Sequence, residues 1–169
     1  MGITYRKSLQ PASLQIYSDA TWANDSEMKS VGGNVFLLLG GAISWRAKTQ
    51  PCIAVSSCDS EYTACYDTAK EAVYMRLLLK ELGFEKYLTT EAKFIIQTDN
   101  QAAIAVANGT TKHEHVKHIL VHIAFLRQLV KSKQVSLNFV ASENNVADAF
   151  TKNLPKPAFE KFRQLILGL

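Results

Sequence analysis

The chain has 169 residues, 47% apolar and 20% charged, with a mean hydropathy of −0.03, the size and balance of one folded domain that buries its own core; disordered, collagen-like and disulfide-stapled classes are excluded. The longest charge-free apolar stretch, Val31 to Trp45, is broken by four glycines and is too short to span a membrane, Met1 to Arg6 carries no signal-peptide core, and Cys52, Cys58 and Cys65 form no C-x-x-C pattern, so an intracellular chain is expected. The net charge of +4 is uneven, since residues 1–100 hold ten basic and eleven acidic side chains while residues 101–169 hold nine and four, which fits either a polyanion partner or a solvated basic face.

Leu14, Ile16 and Ser18 alternate with Gln15, Tyr17 and Asp19, the period of a half-buried strand. Asn34 to Leu39 and Ala42 to Trp45 are short apolar runs joined by Gly40-Gly41, a hairpin signal that completes an antiparallel meander. Ser56 and Ser57 offer helix caps, and Tyr62, Cys65, Tyr66, Ala69, Ala72, Val73 and Leu77 recur at helical spacing until Gly83 stops the pattern. Lys93 to Thr98 reads as a strand running into a short helix, Asn100 to Ala107. Val116, Ile119, Leu120, Ile123, Leu126 and Val130 mark a further helix over about 115–130, and Val135, Leu137 and Phe139 a fifth strand. Two helical pieces, Asn144 to Thr151 and Pro157 to Leu167, close the chain. Three antiparallel strands followed by alternating helices and strands predict an α/β fold, a five-stranded mixed sheet with helices on both faces.

Four acids lie at element boundaries: Asp19 at the end of the first strand, Glu61 early in the long helix, Asp99 after the fourth strand and Asp148 in the piece after the fifth. Carboxylates gathered from separate elements repel one another unless cations neutralise them, an arrangement that suits Mg²⁺; dipole-favoured helix acids and turn-forming aspartates are the structural alternative. His113, His115, His118 and His122 fall close together and are read either as a zinc site, which lacks a thiolate and a fourth ligand, or as nucleic-acid contact or packing. Trp22 and Trp45 are read as core or sheet-edge residues rather than stacking platforms.

The wording around the acids is more specific. Tyr17-Ser18-Asp19-Ala20-Thr21-Trp22-Ala23, Lys29-Ser30 with Gly33-x-Val35-Phe36, Ser44-Trp45-x-x-Lys48-x-Gln50 and Ser56-Ser57-x-x-x-Glu61-Tyr62 come first. Thr98-Asp99-Asn100-Gln101-Ala102-Ala103-Ile104, Lys117-His118-Ile119 and Ala147-Asp148-x-Phe150-Thr151-Lys152-x-Leu154-Pro155 follow in order. From about Tyr17 onward this sequence strongly resembles the ribonuclease H domain of copia-type (Pseudoviridae) LTR retrotransposon polyproteins. The resemblance implies a ribonuclease H-like fold over residues 14–155, a C-terminal helix over 156–169 packed on the same domain, and a tether remnant over 1–13 that joins the domain to a reverse transcriptase. It also implies endonucleolytic hydrolysis of the RNA strand of RNA–DNA hybrids, leaving 5′ phosphates, with two Mg²⁺ ions, replaceable by Mn²⁺, held by Asp19, Glu61, Asp99 and Asp148. In that scheme Asp19 bridges both ions, Asp99 and Glu61 complete the site nearer the leaving group, and Asp148 serves the ion that activates water.

Ser18, Asn100, Lys112, Lys117, His118 and Arg127 are the candidate nucleic-acid contacts, by 2′-hydroxyl or phosphate, with Ser18 and Asn100 read alternatively as supports for the acids beside them. The implied partners are an RNA–DNA hybrid and the reverse transcriptase of a parent polyprotein, with no membrane, a monomeric state for the isolated domain, and a cytoplasmic (virus-like particle) or nuclear location. Two departures stand out. After His118-Ile119 the family continues with an acid, a basic residue and a histidine, where this chain has Leu120, His122 and Ala124, and residues 141–147 contain no histidine ahead of the last catalytic aspartate. The Leu120 and Ala124 departures motivate the alternative of a host-adopted, catalytically silent nucleic-acid-binding or polymerase-docking module of the same fold, while the missing histidine implies a different product release unless His118 approaches the site from the other side.

Overall fold

The structure is a computed structural model that describes residues 2–7, 11–23, 26–88, 94–110 and 119–169, with the backbone alone for Glu85. Strands β1 (Gln15–Thr21), β2 (Val31–Leu38) and β3 (Gly41–Thr49) are followed by helix α1 (Ser57–Glu81), strand β4 (Phe94–Thr98), helices α2 (Gln101–Ala107) and α3 (Leu120–Lys131), strand β5 (Val135–Phe139) and helix α4 (Lys156–Leu167). The sheet order is β3-β2-β1-β4-β5, with β1, β2 and β3 antiparallel and β4 and β5 running parallel to β1.

Period-two alternation on β2 sorts the core onto two faces. Phe36 and Leu38 join Ile16, Ile96 and Leu137 beneath α1, α2 and α3, where Tyr62, Cys65, Ala69, Ala72, Ile123 and Leu126 are buried. Val35 and Leu37 point the other way and pack with Ala42, Val146 and Phe162 of α4. Helices therefore cover both faces, as expected.

α1 begins where Ser56 accepts a hydrogen bond from Asp59 N at 3.2 Å and ends before Gly83, whose φ of +69° suits the left-handed stop. Its apolar stripe differs from expectation at Leu77, which is 58% exposed, whereas Met75 and Leu79 are buried. The expected helix over Asn144 to Thr151 is instead two short 3-10 turns, Ser142–Asn144 and Val146–Phe150, because Asn145 sits between them at φ −80°, ψ 97° and interrupts the helical path. The N-terminal residues dock on the domain: Thr4 N donates to Leu167 O and Arg6 N to Leu39 O, each at 2.8 Å. No helix among the described residues is long and apolar enough to cross a membrane.

Candidate functional site

Sheet register assembles the first pair of acids. β1 and β4 pair in parallel as Ile16 with Ile96 and Tyr17 with Gln97, and continuing the same offset past the end of the ladder carries Asp19 alongside Asp99. Asp19 lies within β1, two residues before its end, and is fully buried. Asp99 immediately follows β4 and is half-buried, with its Oδ2 accepting from Ser142 Oγ at 2.6 Å.

α1 supplies Glu61 from its second turn, buried at 8% exposure, with its carboxylate accepting from Ala20 N–H on the strand beneath. One carboxylate oxygen from each of Asp19, Glu61 and Asp99 can be chosen so that all three lie within 4.8 Å of one another. Burial first, then Asp19 and Asp99, push the Glu61 carboxyl up to about 9. The other Glu61 oxygen, Oε2, is buried without a hydrogen-bond partner among the described residues. Burying an acceptor without a donor is costly, and a hard cation coordinated by oxygen satisfies it. The donor set therefore fits a divalent metal ion.

The last acid comes from the second 3-10 turn. Asn145, which is fully buried, fastens that turn to β1: its amide donates to Ser18 O at 3.1 Å, and its Oδ1 accepts from Ala147 N at 3.3 Å. Gly33 lets the turn come close, since a Cβ at this position would lie 2.7 Å from Thr151 Cγ2. Lys152 Nζ then reaches Asp19 Oδ1 at 3.2 Å and Asp148 Oδ1 at 3.1 Å, while Thr151 Oγ1 donates to Asp19 Oδ2. Burial, then Asp19, raises Asp148 to about 6 against the opposing pull of Lys152. Burial likewise raises Asp19, with Thr151 and Lys152 pulling it down.

Lys152, Thr151 and Asn145 were not among the expected site residues. The sequence signal was available for Lys152, which stands four residues after Asp148, the spacing of neighbours on one helical face. Asn145 and Thr151 act through contacts with β1, more than a hundred residues away in the chain; Thr151 stands in the block around Asp148, but neither contact is readable from the local sequence.

The expected nucleic-acid contacts are placed differently. Ser18 is fully buried and its Oγ accepts from Thr68 Oγ1 at 3.0 Å, so it braces β1 against α1. Asn100 caps α2, its Oδ1 accepting from Ala103 N at 2.8 Å, and Arg127 Nε donates to Val106 O at 2.9 Å, joining α3 to α2. Lys112, Lys117 and His118, with His113 and His115, lie outside the described residues. His122 stacks on Tyr66 with ring centroids 4.1 Å apart. Trp22 is 48% exposed and donates from Nε1 to Ala54 O at 2.9 Å, and Trp45 is 54% exposed on edge strand β3; neither belongs to the core, and the sheet-edge reading holds for Trp45.

No family model matches this chain. It is 33% identical over 154 residues to the Retrovirus-related Pol polyprotein from transposon TNT 1-94 of Nicotiana tabacum, covering 90% of this chain and 11% of that polyprotein. Against the corresponding polyprotein from transposon RE1 of Arabidopsis thaliana it is 34% identical over 155 residues, covering 91% of this chain and 10% of the relative. The chain thus spans about a tenth of the length of these relatives. Among solved structures, the N-terminal RNase H domain of rv2228c from Mycobacterium tuberculosis superposes with a TM-score of 0.60 at 13% identity, covering 90% of this chain and 97% of that one. LC11-RNase H1, solved in complex with an RNA/DNA hybrid, gives a TM-score of 0.57 at 14% identity, covering 89% of this chain and 97% of that one.

Proposed function

We propose, from the premise that this chain is a homologue of the Pol polyproteins of copia-type retrotransposons and has the ribonuclease H fold, that it hydrolyses the RNA strand of RNA–DNA hybrids. The observation that carries the reading is the convergence of Asp19, Glu61 and Asp99 from two strand positions and a helix onto one point. Asp19, Glu61, Asp99 and Asp148 would hold two divalent ions, Mg²⁺ or Mn²⁺. When bound, such ions supply activation of a water and stabilisation of the departing 3′ oxygen, giving 5′-phosphate and 3′-hydroxyl ends.

The protein's own residues prepare this site in definite ways. Thr151 and Lys152 fix the rotamer of Asp19, the residue that faces every other acid, and Lys152 also sets Asp148. Ser142 holds one oxygen of Asp99 and leaves the other for a ligand. Pre-fixed ligands need no reorganisation when substrate arrives. Residues 14–155 would form the catalytic domain, residues 156–169 a helix belonging to it, and residues 1–13 the link to a reverse transcriptase in the parent polyprotein, acting in a particle or the nucleus.

A second reading, a docking module without turnover, is favoured by α3, whose Leu120 and Val121 are 46% and 76% exposed. One experiment separates the two: incubate the protein with labelled RNA–DNA hybrid, single-stranded RNA, duplex RNA and duplex DNA, in Mg²⁺, Mn²⁺ or EDTA. Cleavage confined to the RNA of the hybrid and abolished by EDTA supports the enzyme. An uncut hybrid with retained binding supports the docking module, and comparable cleavage of DNA contradicts hybrid specificity.

A further inference from the structure

Asp19 faces every other acid of the site, and part of its accepting capacity is already taken. Its Oδ2 accepts from Thr151 Oγ1, and its Oδ1 faces Lys152 Nζ at 3.2 Å. The same ammonium lies 3.1 Å from Asp148 Oδ1, a buried atom with no hydrogen bond among the described residues, so the ammonium meets it as a charge rather than along a directed bond. A compact point charge set between carboxylates from a strand and from a separate turn stands where a metal ion would stand.

The backbone beneath this ammonium is fixed, while its side chain is free to turn. Lys152 N donates to Asp148 O at 3.0 Å, and Thr21 Oγ1 donates to Thr151 O at 2.7 Å, which ties the turn to the end of β1. The Lys152 side chain is 34% exposed, so rotation about its own bonds carries Nζ from the carboxylates into water with no change in the backbone. Mg²⁺ takes oxygen ligands at about 2.0–2.1 Å and repels a neighbouring ammonium, so the position between Asp19 and Asp148 holds one cation or the other. Charge points the same way. With all four carboxylates ionised, the ammonium and one divalent ion leave a single negative charge, and a second divalent ion beside a retained ammonium reverses that sign.

We propose that Lys152 is an internal occupant of the second cation position: without substrate the chain takes one divalent ion, at Asp19, Glu61 and Asp99, and a second enters only when the Lys152 ammonium swings away from Asp19 and Asp148. The inference rests on the hybrid-hydrolysing reading and adds to it an order of loading imposed by one side chain of this protein. Lys152 is a positioning residue, since it acts through the two carboxylates that it holds in place for the ion replacing it. The anionic strand is the trigger: a phosphodiester offers the ammonium another partner and brings the negative charge that a second divalent ion requires. Asp148 is thereby kept from metal until a strand is present.

The test counts Mn²⁺ bound to the full chain in the absence of nucleic acid, by equilibrium dialysis, for the wild type, Lys152→Met and Lys152→Met/Asp148→Asn, with folding checked by circular dichroism. The wild type should bind one ion, Lys152→Met two, and the double variant one again. Two ions on the wild type, one on folded Lys152→Met, or two on the double variant overturns the proposal. Should the variants not fold, the wild type decides alone. Its Lys152 ammonium resonance in ¹⁵N NMR should stay protected from solvent exchange in saturating Mg²⁺ or Ca²⁺ and lose that protection when hybrid joins the Ca²⁺ sample. Release by either metal alone, or protection that survives hybrid binding, contradicts the proposal. A change from one ion to two in a protein that binds no hybrid leaves the place of Lys152 standing and removes the hybrid-hydrolysing reading; a wild type that binds no ion removes both.

Discussion

On one flank of Asp19, Lys152 lies 3.2 Å from its Oδ1 and 3.1 Å from Asp148 Oδ1, and Thr151 donates to the other Asp19 oxygen. On the other flank, among the described residues, Glu61 and Asp99 approach the same aspartate with no ion pair to a cation and Glu61 Oε2 has no hydrogen-bond partner. The two flanks share one carboxylate and one sheet, yet Lys152 pairs directly with the acids of one and acts on Glu61 of the other only as a more distant charge. The lesson concerns how an acidic site is kept folded before it is loaded: an internal cation restrains part of the repulsion, and the rest is held as the protonated form of a buried glutamate.

The largest test of that contrast is Asp99→Asn, which keeps the side-chain size and removes one charge from the open flank. Its cleavage rate should fall roughly a thousandfold, at about 1.4 kcal/mol per decade, with hybrid affinity in Ca²⁺ retained. The metal-free protein should melt slightly higher, since fewer like charges crowd Asp19. Unchanged cleavage, read in single-turnover assays, would remove Asp99 from the site.

Lys152→Met probes the closed flank. It leaves Asp19 and Asp148 unpaired and should destabilise the metal-free fold by about 1–2 kcal/mol, a value reduced from that of a fully buried pair because Lys152 is 34% exposed. Saturating Mg²⁺ should recover much of the loss in thermal melts; equal losses with and without metal would show that Lys152 acts only through packing.

Glu61 gives the pH dependence. Its carboxyl sits at about 9 in the fold against an ordinary value of 4.5, so the folded state binds the proton more tightly. The resulting stability is complete below 4.5 and is lost as pH rises through about 9. The melting temperature in EDTA should therefore fall over that window. Glu61→Gln should flatten the fall, and Mg²⁺ should reverse it, because the ion binds the deprotonated carboxylate. A slope in EDTA that is identical for Glu61→Gln would assign the dependence elsewhere.

Much of this molecule was legible in its residues. Ser56, the α1 stripe of Tyr62, Cys65, Ala69 and Ala72, and Gly83 are local signals that specify a helix, and alternation at Ile16 and Val135 to Phe139 specifies strands. The acids were found from ordered sequence blocks. Hidden were the interactions closed by distant chain segments: Asn145 bonding to Ser18 O, Thr151 to Asp19, and Ser18 buried under Thr68. The alternating reading of β1 gave Ser18 a face but not what covers that face. The 3-10 turns around Asp148 were misread as a helix because their residue types permit one, and it is the fastening of Asn145 to β1 that prevents it.

The smallest effect expected is at Asn100. Asn100→Ala should cost about 1 kcal/mol of stability by removing the α2 cap, and Asn100→Asp should restore it, with cleavage affected by neither beyond a few-fold. A large loss of cleavage with intact stability would instead place Asn100 on the substrate.

Most direct for the central claim, that the open flank is a divalent metal site, is a Mn²⁺ binding isotherm followed by the electron paramagnetic resonance of the free ion, run on the wild-type chain and on Asp99→Asn. The account predicts saturable Mn²⁺ binding by the wild type, displaced by Mg²⁺, and at least about tenfold weaker binding by Asp99→Asn, the loss of about 1.4 kcal/mol or more. Identical isotherms for the two proteins, or no saturable binding by the wild type, would contradict it.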